Sequence, residues 1–342
     1  MEVAPFIADL SNGHAAVRWI DGSRTTAGLA DSVGHVVKEH IRELPRGRGW
    51  VHTVSVPLRE PGVTQYSVRC GPWADHVVRL PPAPTSGTPL TFVAFGDNRS
   101  GFGRHAAIVK AVNSLGPDLV INTGDMVLIG GPASWTQFFE IERPLLANTA
   151  LFAAFGNHEA LGEPDLYDAI FACPRRGPKG TRTCVRDYGD LRLIFIDSEG
   201  PKAPQGDWLR RVLAEPAPAG TQRVEVIVLH RPVFTFSLHP PDLDWRAILH
   251  PLARDAGVEL VFQGHNHLYE RFEVEGVTYV TTGGGGAPLY PANYLVRQGE
   301  TEFLRKAVPV LHYVVGHVSG GRIEIEAREG RLGSVIDKFE VN

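Results

Sequence analysis

Two hydrophobic rhythms divide the chain. Up to about residue 80, apolar positions come in short runs rich in β-branched and aromatic residues: AAVRWI (15–20), WVHTVSV (50–56) and TQYSVRC (64–70). Turn formers such as Asp21-Gly22 and Pro45 separate them, and no long helical period intervenes. Short strands punctuated by turns predict a small all-β sandwich. The segment PPAPTSGTP (81–89) reads as a linker. The predicted division is therefore a β-sandwich domain over 1–82, a linker over 83–89 and a second domain over 90–342.

Beyond the linker the rhythm changes. LTFVAFGD (90–97), LVINTGD (119–125), LFAAFGNH (151–158), LRLIFIDS (191–198), RVEVIVLH (223–230) and VELVFQGH (258–265) are near-continuous apolar runs, as buried strands require. Between some of them lie helical stretches: RHAAIVKAVNSLG (104–116), WTQFFEIERPLLANT (135–149, with Pro144 a kink or break) and DWRAILHPLARDAG (244–257). Such alternation predicts an α/β layered domain. VTYVTTG (277–283), HYVVGHV (312–318) and RIEIEAR (322–328) extend it with a more β-rich half.

Five of the apolar runs end in residues able to bind a metal: Asp97, Asp125, Asn157 with His158, His230, and His265 with His267. Ligands in open α/β sheets bind at the carboxyl ends of strands, where the last side chain is held rigidly. Gly precedes the polar residue in four cases, at Gly96, Gly124, Gly156 and Gly264. A tight turn there lets side chains from separate strands reach one centre. Singly, an Asp after a Gly is a turn or cap residue as readily as a ligand. The ordered set is what carries the argument. Two carboxylates, a carboxamide and three imidazoles suit a pair of Zn, Mn or Fe ions with mixed N and O ligation.

Composition agrees and trims the alternatives. The 342 residues include 14 His against 3 Cys, which disfavours a thiolate metal site. The net charge of -4 lacks the basic excess of a chain built mainly to grip nucleic acid. No run approaches the ~18–20 apolar residues of a membrane span. Gly (37) and Pro (26) are abundant, as in a loop-rich β-containing protein. No signal peptide is visible, so the chain reads as cytoplasmic as written, or as secreted or periplasmic if a leader has been removed. Cys173 and Cys184 flank the basic loop RRGPKGTR (175–182) and could pair, and Cys70 reads as a buried small hydrophobe. That basic loop is a solvated face or an attractor of anionic substrate. His239 is a loop residue, either solvated or in reach of substrate.

In order, the motifs GDNR (96–99), GD (124–125), GNHE (156–159), VLH (228–230) and GHNH (264–267) resemble the calcineurin-like metallophosphoesterase superfamily. HLYER (267–271), TTGGGGAPLY (281–290) and the front β-domain, which resembles a fibronectin-III-like module, are similar to its purple-acid-phosphatase-type members. The resemblance implies a layered β-sandwich flanked by helices behind an N-terminal all-β sandwich. It implies a phosphate-ester substrate and two divalent or trivalent ions bridged by Asp125. Asp97 and His267 would bind metal one, and Asn157, His230 and His265 metal two. His158 would donate a hydrogen bond to the substrate or leaving group. The implied reaction is hydrolysis of phosphate monoesters by a metal-bridging hydroxide, without a covalent protein intermediate. A phosphodiesterase on nucleotide or lipid head-group substrates, and a binding or regulatory protein with a degraded first-metal site, stay open beside it.

Two positions depart from the pattern. The superfamily commonly has His two residues after the first Asp, where this chain has Arg99. Purple acid phosphatases instead place Tyr three residues after the second Asp, where this chain has Leu128. Either metal one is completed by water or another residue replaces the ligand. His105 is the candidate replacement, and Arg99 is expected to hold a phosphate oxygen through its planar fork.

Overall fold

The computed structural model describes all residues except 12, 25–27, 33, 38, 59–63, 70, 172 and 174. Cys70 therefore lies outside the described residues. The front region forms two four-stranded antiparallel sheets. One carries the strands Val3–Ser11, His14–Asp21, Trp50–Pro57 and His40–Glu43, the other Val36–Val37, Leu29–Asp31, Thr64–Val68 and Val77–Leu80. Alternation along His14–Asp21 sends Ala15, Val17 and Trp19 to the sandwich core. The chain then runs without regular structure from Leu80 to the strand Leu90–Phe95.

The rear region is a layered β-sandwich flanked by helices. A six-stranded sheet holds, in spatial order, Ala150–Ala153, Leu119–Asn122, Leu90–Phe95, His312–Ser319, Arg322–Glu329 and Val335–Val341. Its first three strands are parallel. An eight-stranded sheet contains the parallel set Leu191–Ile196, Val224–Leu229, Leu260–Gln263 and Val277–Thr282, with antiparallel strands on both sides.

Side-chain alternation sorts each parallel strand between two cores. Phe92 and Ala94 face the opposite sheet while Val93 and Phe95 face the helices Phe102–Leu115 and Pro132–Leu146. Val226 and Val228 face the sandwich interior, and Ile227 and Leu229 pack under the helices Lys202–Leu213 and Leu243–Ala256. Phe92 and Phe262 meet edge-on across the interior, centroids 5.9 Å apart. Pro144 and Pro251 are accommodated inside helices, so the expected break at Pro144 does not end that segment. Among the described residues, no helix is long and apolar enough to cross a membrane.

Front and rear share packing. The strand Val3–Ser11 lies against the helix Pro132–Leu146, where Phe6 and Phe139 rings approach to 4.8 Å. Arg18 donates to the Ile170 carbonyl at 2.8 Å, and Arg186 pairs with Asp9. Cys173 and Cys184 form a disulfide. The basic loop it closes is largely neutralised: Arg175 pairs with Asp187 and Glu215, and Arg176 and Arg182 pair with Asp168.

Candidate metal centre

The parallel strands of both sheets end at one place. Asp97, Asp125 and Asn157 arrive from the six-stranded sheet, and His230, His265 and His267 from the eight-stranded one. Asp97, Asp125 and His265 hold φ values of 56°, 56° and 68°, left-handed conformations that cost a non-glycine residue free energy. Neighbouring glycines make the crossing possible. A Cβ on Gly156 would collide with the Asp125 carboxylate, and one on Gly283 with the Asn266 carbonyl. The glycine run thus packs its backbone against the site, with Gly285 N–H donating to the Gly96 carbonyl at 2.8 Å and Ala287 N–H to that of Asp97 at 2.9 Å.

Two of the imidazoles are aimed by backbone carbonyls. His230 donates from Nδ1 to the Thr123 carbonyl (2.9 Å), and His267 does so to that of Pro288 (2.6 Å). A carbonyl can only accept, so both rings present Nε2 to the centre. His230 Nε2 there faces two oxygens, Asn157 Oδ1 at 3.1 Å and Asp125 Oδ1 at 3.2 Å. A lone pair facing two oxygens needs a cation between them, and a proton or a metal ion can serve. Burial disfavours the charged His230 ring, but the Asp125, Asp97 and Glu159 charges outweigh it and raise its pKa. His265 is pushed the other way by burial and by the neighbouring His230, His239, Arg231 and His267, and so stays neutral, the form that ligates.

The carboxylates complete the arrangement. Among the described residues, Asp125, His230 and His265 are the trio whose donor atoms all lie within 4.8 Å of one another. Asp97 accepts the His265 N–H on Oδ2 at 2.9 Å, while its Oδ1 is buried without a hydrogen-bond donor. Burial opposes ionisation of Asp97, yet His267, His230 and Arg99 hold its carboxyl below the usual range. An imidazole aimed at two oxygens fits a metal ion between them.

The other expected residues fall differently. His158 lies at the edge, donating from Nδ1 to the Leu128 carbonyl at 2.7 Å, with Nε2 3.8 Å from Asp125 Oδ2. Arg99 reaches the cluster: its Nε is 3.3 Å from Asp125 Oδ2 and its Nη2 3.4 Å from His267 Nε2. His105 does not join the cluster. Its Nε2 lies 3.0 Å from Glu142 and its Nδ1 3.1 Å from the Gly285 carbonyl, so both nitrogens serve the helix-to-loop packing. His239 comes close, its ring 4.2 Å from that of His265.

Sequence reasoning passed over several supporting residues. Glu159 of the GNHE motif is fully buried and accepts backbone N–H groups from Asp125, Met126, Val127 and Gly156 at 2.8–3.2 Å. It ties the Asp125 turn to the Asn157 turn, and burial together with the Asp125 charge pushes its pKa up to about 7. Tyr290 stacks on His267 at 3.9 Å, and Arg231, held by both oxygens of Glu199, reaches within 3.4 Å of His265. Their positions next to a motif, directly after His230 and at the end of the glycine run, were the available signals.

Comparison with known proteins follows the same line. Residues 90–269 match the calcineurin-like phosphoesterase family. The chain is 29% identical over 178 residues to a cAMP/cGMP dual specificity phosphodiesterase of Mycobacterium tuberculosis, covering 48% of this chain and 54% of that protein. It is 26% identical over 265 residues to purple acid phosphatase 22 of Arabidopsis thaliana, covering 70% and 59% respectively. The chain thus spans between half and three fifths of the length of these relatives. In fold it is similar to the purple acid phosphatase PPD1 from yellow lupin (Lupinus luteus) seeds, with a TM-score of 0.82 at 17% identity over 100% of this chain and 74% of that one.

Proposed function

Since this chain belongs to the calcineurin-like phosphoesterase family, we propose that it hydrolyses phosphate monoesters with the aid of metal held at the strand ends. The observation that carries this reading is the buried His230 Nε2 aimed at oxygens of the buried Asp125 and the half-buried Asn157. Asp125, Asn157, His230 and His265 would hold one ion. The two-ion expectation assigns Asp97, Asp125 and His267 to another. Such metal supplies a water of lowered pKa and a clamp for phosphoryl oxygens.

The protein's own residues set the rest. In the hydrolysis, a water oxygen bonds to phosphorus as the ester P–O bond breaks, and the departing oxygen needs a proton. In this reading His158 would give it. Because Nδ1 is committed to the Leu128 carbonyl, Nε2 can donate only when the ring is doubly protonated. The exposed Leu128, Ile129 and Leu161 form an apolar lip beside His158, where an organic leaving group would emerge. The positive charge of Arg99 beside Asp125, with a protonated His158 at the edge, would favour the dianion of a monoester over the single charge of a diester. The similarity to cyclic nucleotide phosphodiesterases supports a diesterase as second reading.

Parallel assays on 4-nitrophenyl phosphate and bis(4-nitrophenyl) phosphate separate the two, with faster turnover of the monoester expected. His158→Gln should lower kcat about 100-fold or more on an alkyl phosphate and less on 4-nitrophenyl phosphate, whose leaving group needs no proton. Equal losses on both esters would remove His158 from the proton-donor role.

A further inference from the structure

The two halves of the centre are built alike but filled differently. In each, an imidazole is locked through Nδ1 to a backbone carbonyl and turns Nε2 toward a carboxylate, Asp125 Oδ1 at 3.2 Å for His230 and Asp97 Oδ1 at 3.5 Å for His267. At His230 that nitrogen faces two acceptors and lacks a donor among the contacts found there. At His267 it faces, besides that carboxylate, a donor, Arg99 Nη2 at 3.4 Å. The same guanidinium donates through Nε to Asp125 Oδ2 at 3.3 Å. Its side chain is only 15% exposed.

We infer that the Arg99 guanidinium occupies the place of the first metal ion, leaving a centre with one ion at Asp125, Asn157, His230 and His265. This rests on the metal-dependent reading above. The chemistry matches the geometry. A guanidinium is a permanent cation whose planar fork spans a carboxylate and an imidazole, and it is not discharged at any ordinary pH. It therefore joins Asp125 to His267 by hydrogen bonds, where an ion would join them by coordination. The donor atoms of Asp97, Asp125 and His267 accordingly do not form a trio as close as that of Asp125, His230 and His265. One charge replaces two, and the deficit shows at Asp97, whose Oδ1 is buried 3.5 Å from His267 Nε2 without a donor. The departure at position 99 is then a substitution of one cation for another, and the centre is not simply short of a ligand.

The test is metal counting. Metal-free full-length protein is brought to equilibrium with Mn²⁺, and bound Mn is measured by elemental analysis together with the electron paramagnetic resonance line shape. The wild type should bind one Mn per chain with the six-line signal of an isolated ion. Arg99→Ala or Arg99→His, shown folded by circular dichroism, should take up a second Mn and give a spin-coupled spectrum. Arg99→Lys, which keeps a cation, serves as a folded control at one Mn. Two coupled Mn ions in the wild type, or one Mn in both Arg99→Ala and Arg99→His, overturns the inference while leaving the metal-dependent reading intact. Folded wild-type protein that binds no Mn defeats that reading itself.

Discussion

Both regions of the molecule bury histidine among carboxylates, and only one of them is built for chemistry. In the front sandwich, His52 is fully buried, 3.3 Å from Asp21 and 3.3 Å from Glu39, and stacked on Trp19 at 5.0 Å. Its Nε2 also lies 3.1 Å from the Ser23 carbonyl. These groups sit along and beside antiparallel strands, and here too the ring nitrogens face oxygens only. In the rear region the same residue types arrive at the ends of parallel strands, several from left-handed turns, and Asp125, His230 and His265 bring their donor atoms within 4.8 Å of one another. Burial of ionisable groups is common to both. Convergence of ligand-type side chains from separate strand ends on one point is what distinguishes the second.

The largest effect should come from treating the two histidines alike. His230→Ala should abolish measurable Mn²⁺ binding, exceeding the ~10–100-fold loss expected of a merely supporting residue. His52→Ala should leave Mn²⁺ affinity within error and cost stability instead, about 3 kcal/mol by urea denaturation, since a buried, hydrogen-bonded ring is lost. Reversed outcomes would break the comparison.

A smaller effect tests whether the rear region also contains purely positioning groups. Glu159→Gln places an N–H₂ donor against backbone N–H groups that now find a carboxylate oxygen. Mn²⁺ affinity should fall roughly 10–100-fold, measured by calorimetry, with the chain still folded. An unchanged affinity would show that the two turns hold their places without it.

The smallest effect concerns Glu270, which is buried in the rear region but, like His52, stands outside the metal centre. It accepts from the Thr235 hydroxyl at 2.6 Å and the Phe236 N–H at 3.1 Å, and Thr235 in turn accepts from Asn266 at 2.9 Å. Burial outweighs those bonds and pushes its pKa up to about 7. The folded state thus holds this proton more tightly than the unfolded chain. Its stabilising contribution is full below the ordinary glutamate range and is lost as pH rises toward 7. A shift of this size is worth up to about 3 kcal/mol. Glu270→Gln should therefore show a smaller fall in Tm between pH 5 and pH 8 than the wild type, with Mn²⁺ affinity unchanged.

Much of this was legible in the sequence because strand ends are local features. The run LTFVAFGD states at once that a buried strand ends at a glycine and an aspartate, and the motif order GDNR, GD, GNHE, VLH, GHNH fixed which ends meet. What depended on side-chain direction was not legible. His105 begins a helix near the site, yet both its nitrogens face Glu142 and the glycine run. Nor does position 99 in the motif announce that the Arg99 guanidinium lies against Asp125 and His267. The 81–89 segment reads as a linker, but no linear pattern announces that Phe6 packs on Phe139.

The left-handed turns at Asp97, Asp125 and His265 set function against robustness. Each such residue costs on the order of 1–3 kcal/mol, held in place by its surroundings. Relieving one of them with glycine, which adopts this φ freely, removes the very side chain the turn exists to present. Random variation screened for heat resistance alone should therefore gather inactive, more durable chains with glycine at these positions. A durable and active variant would have to find its stability elsewhere, in the two sheet cores or the front sandwich.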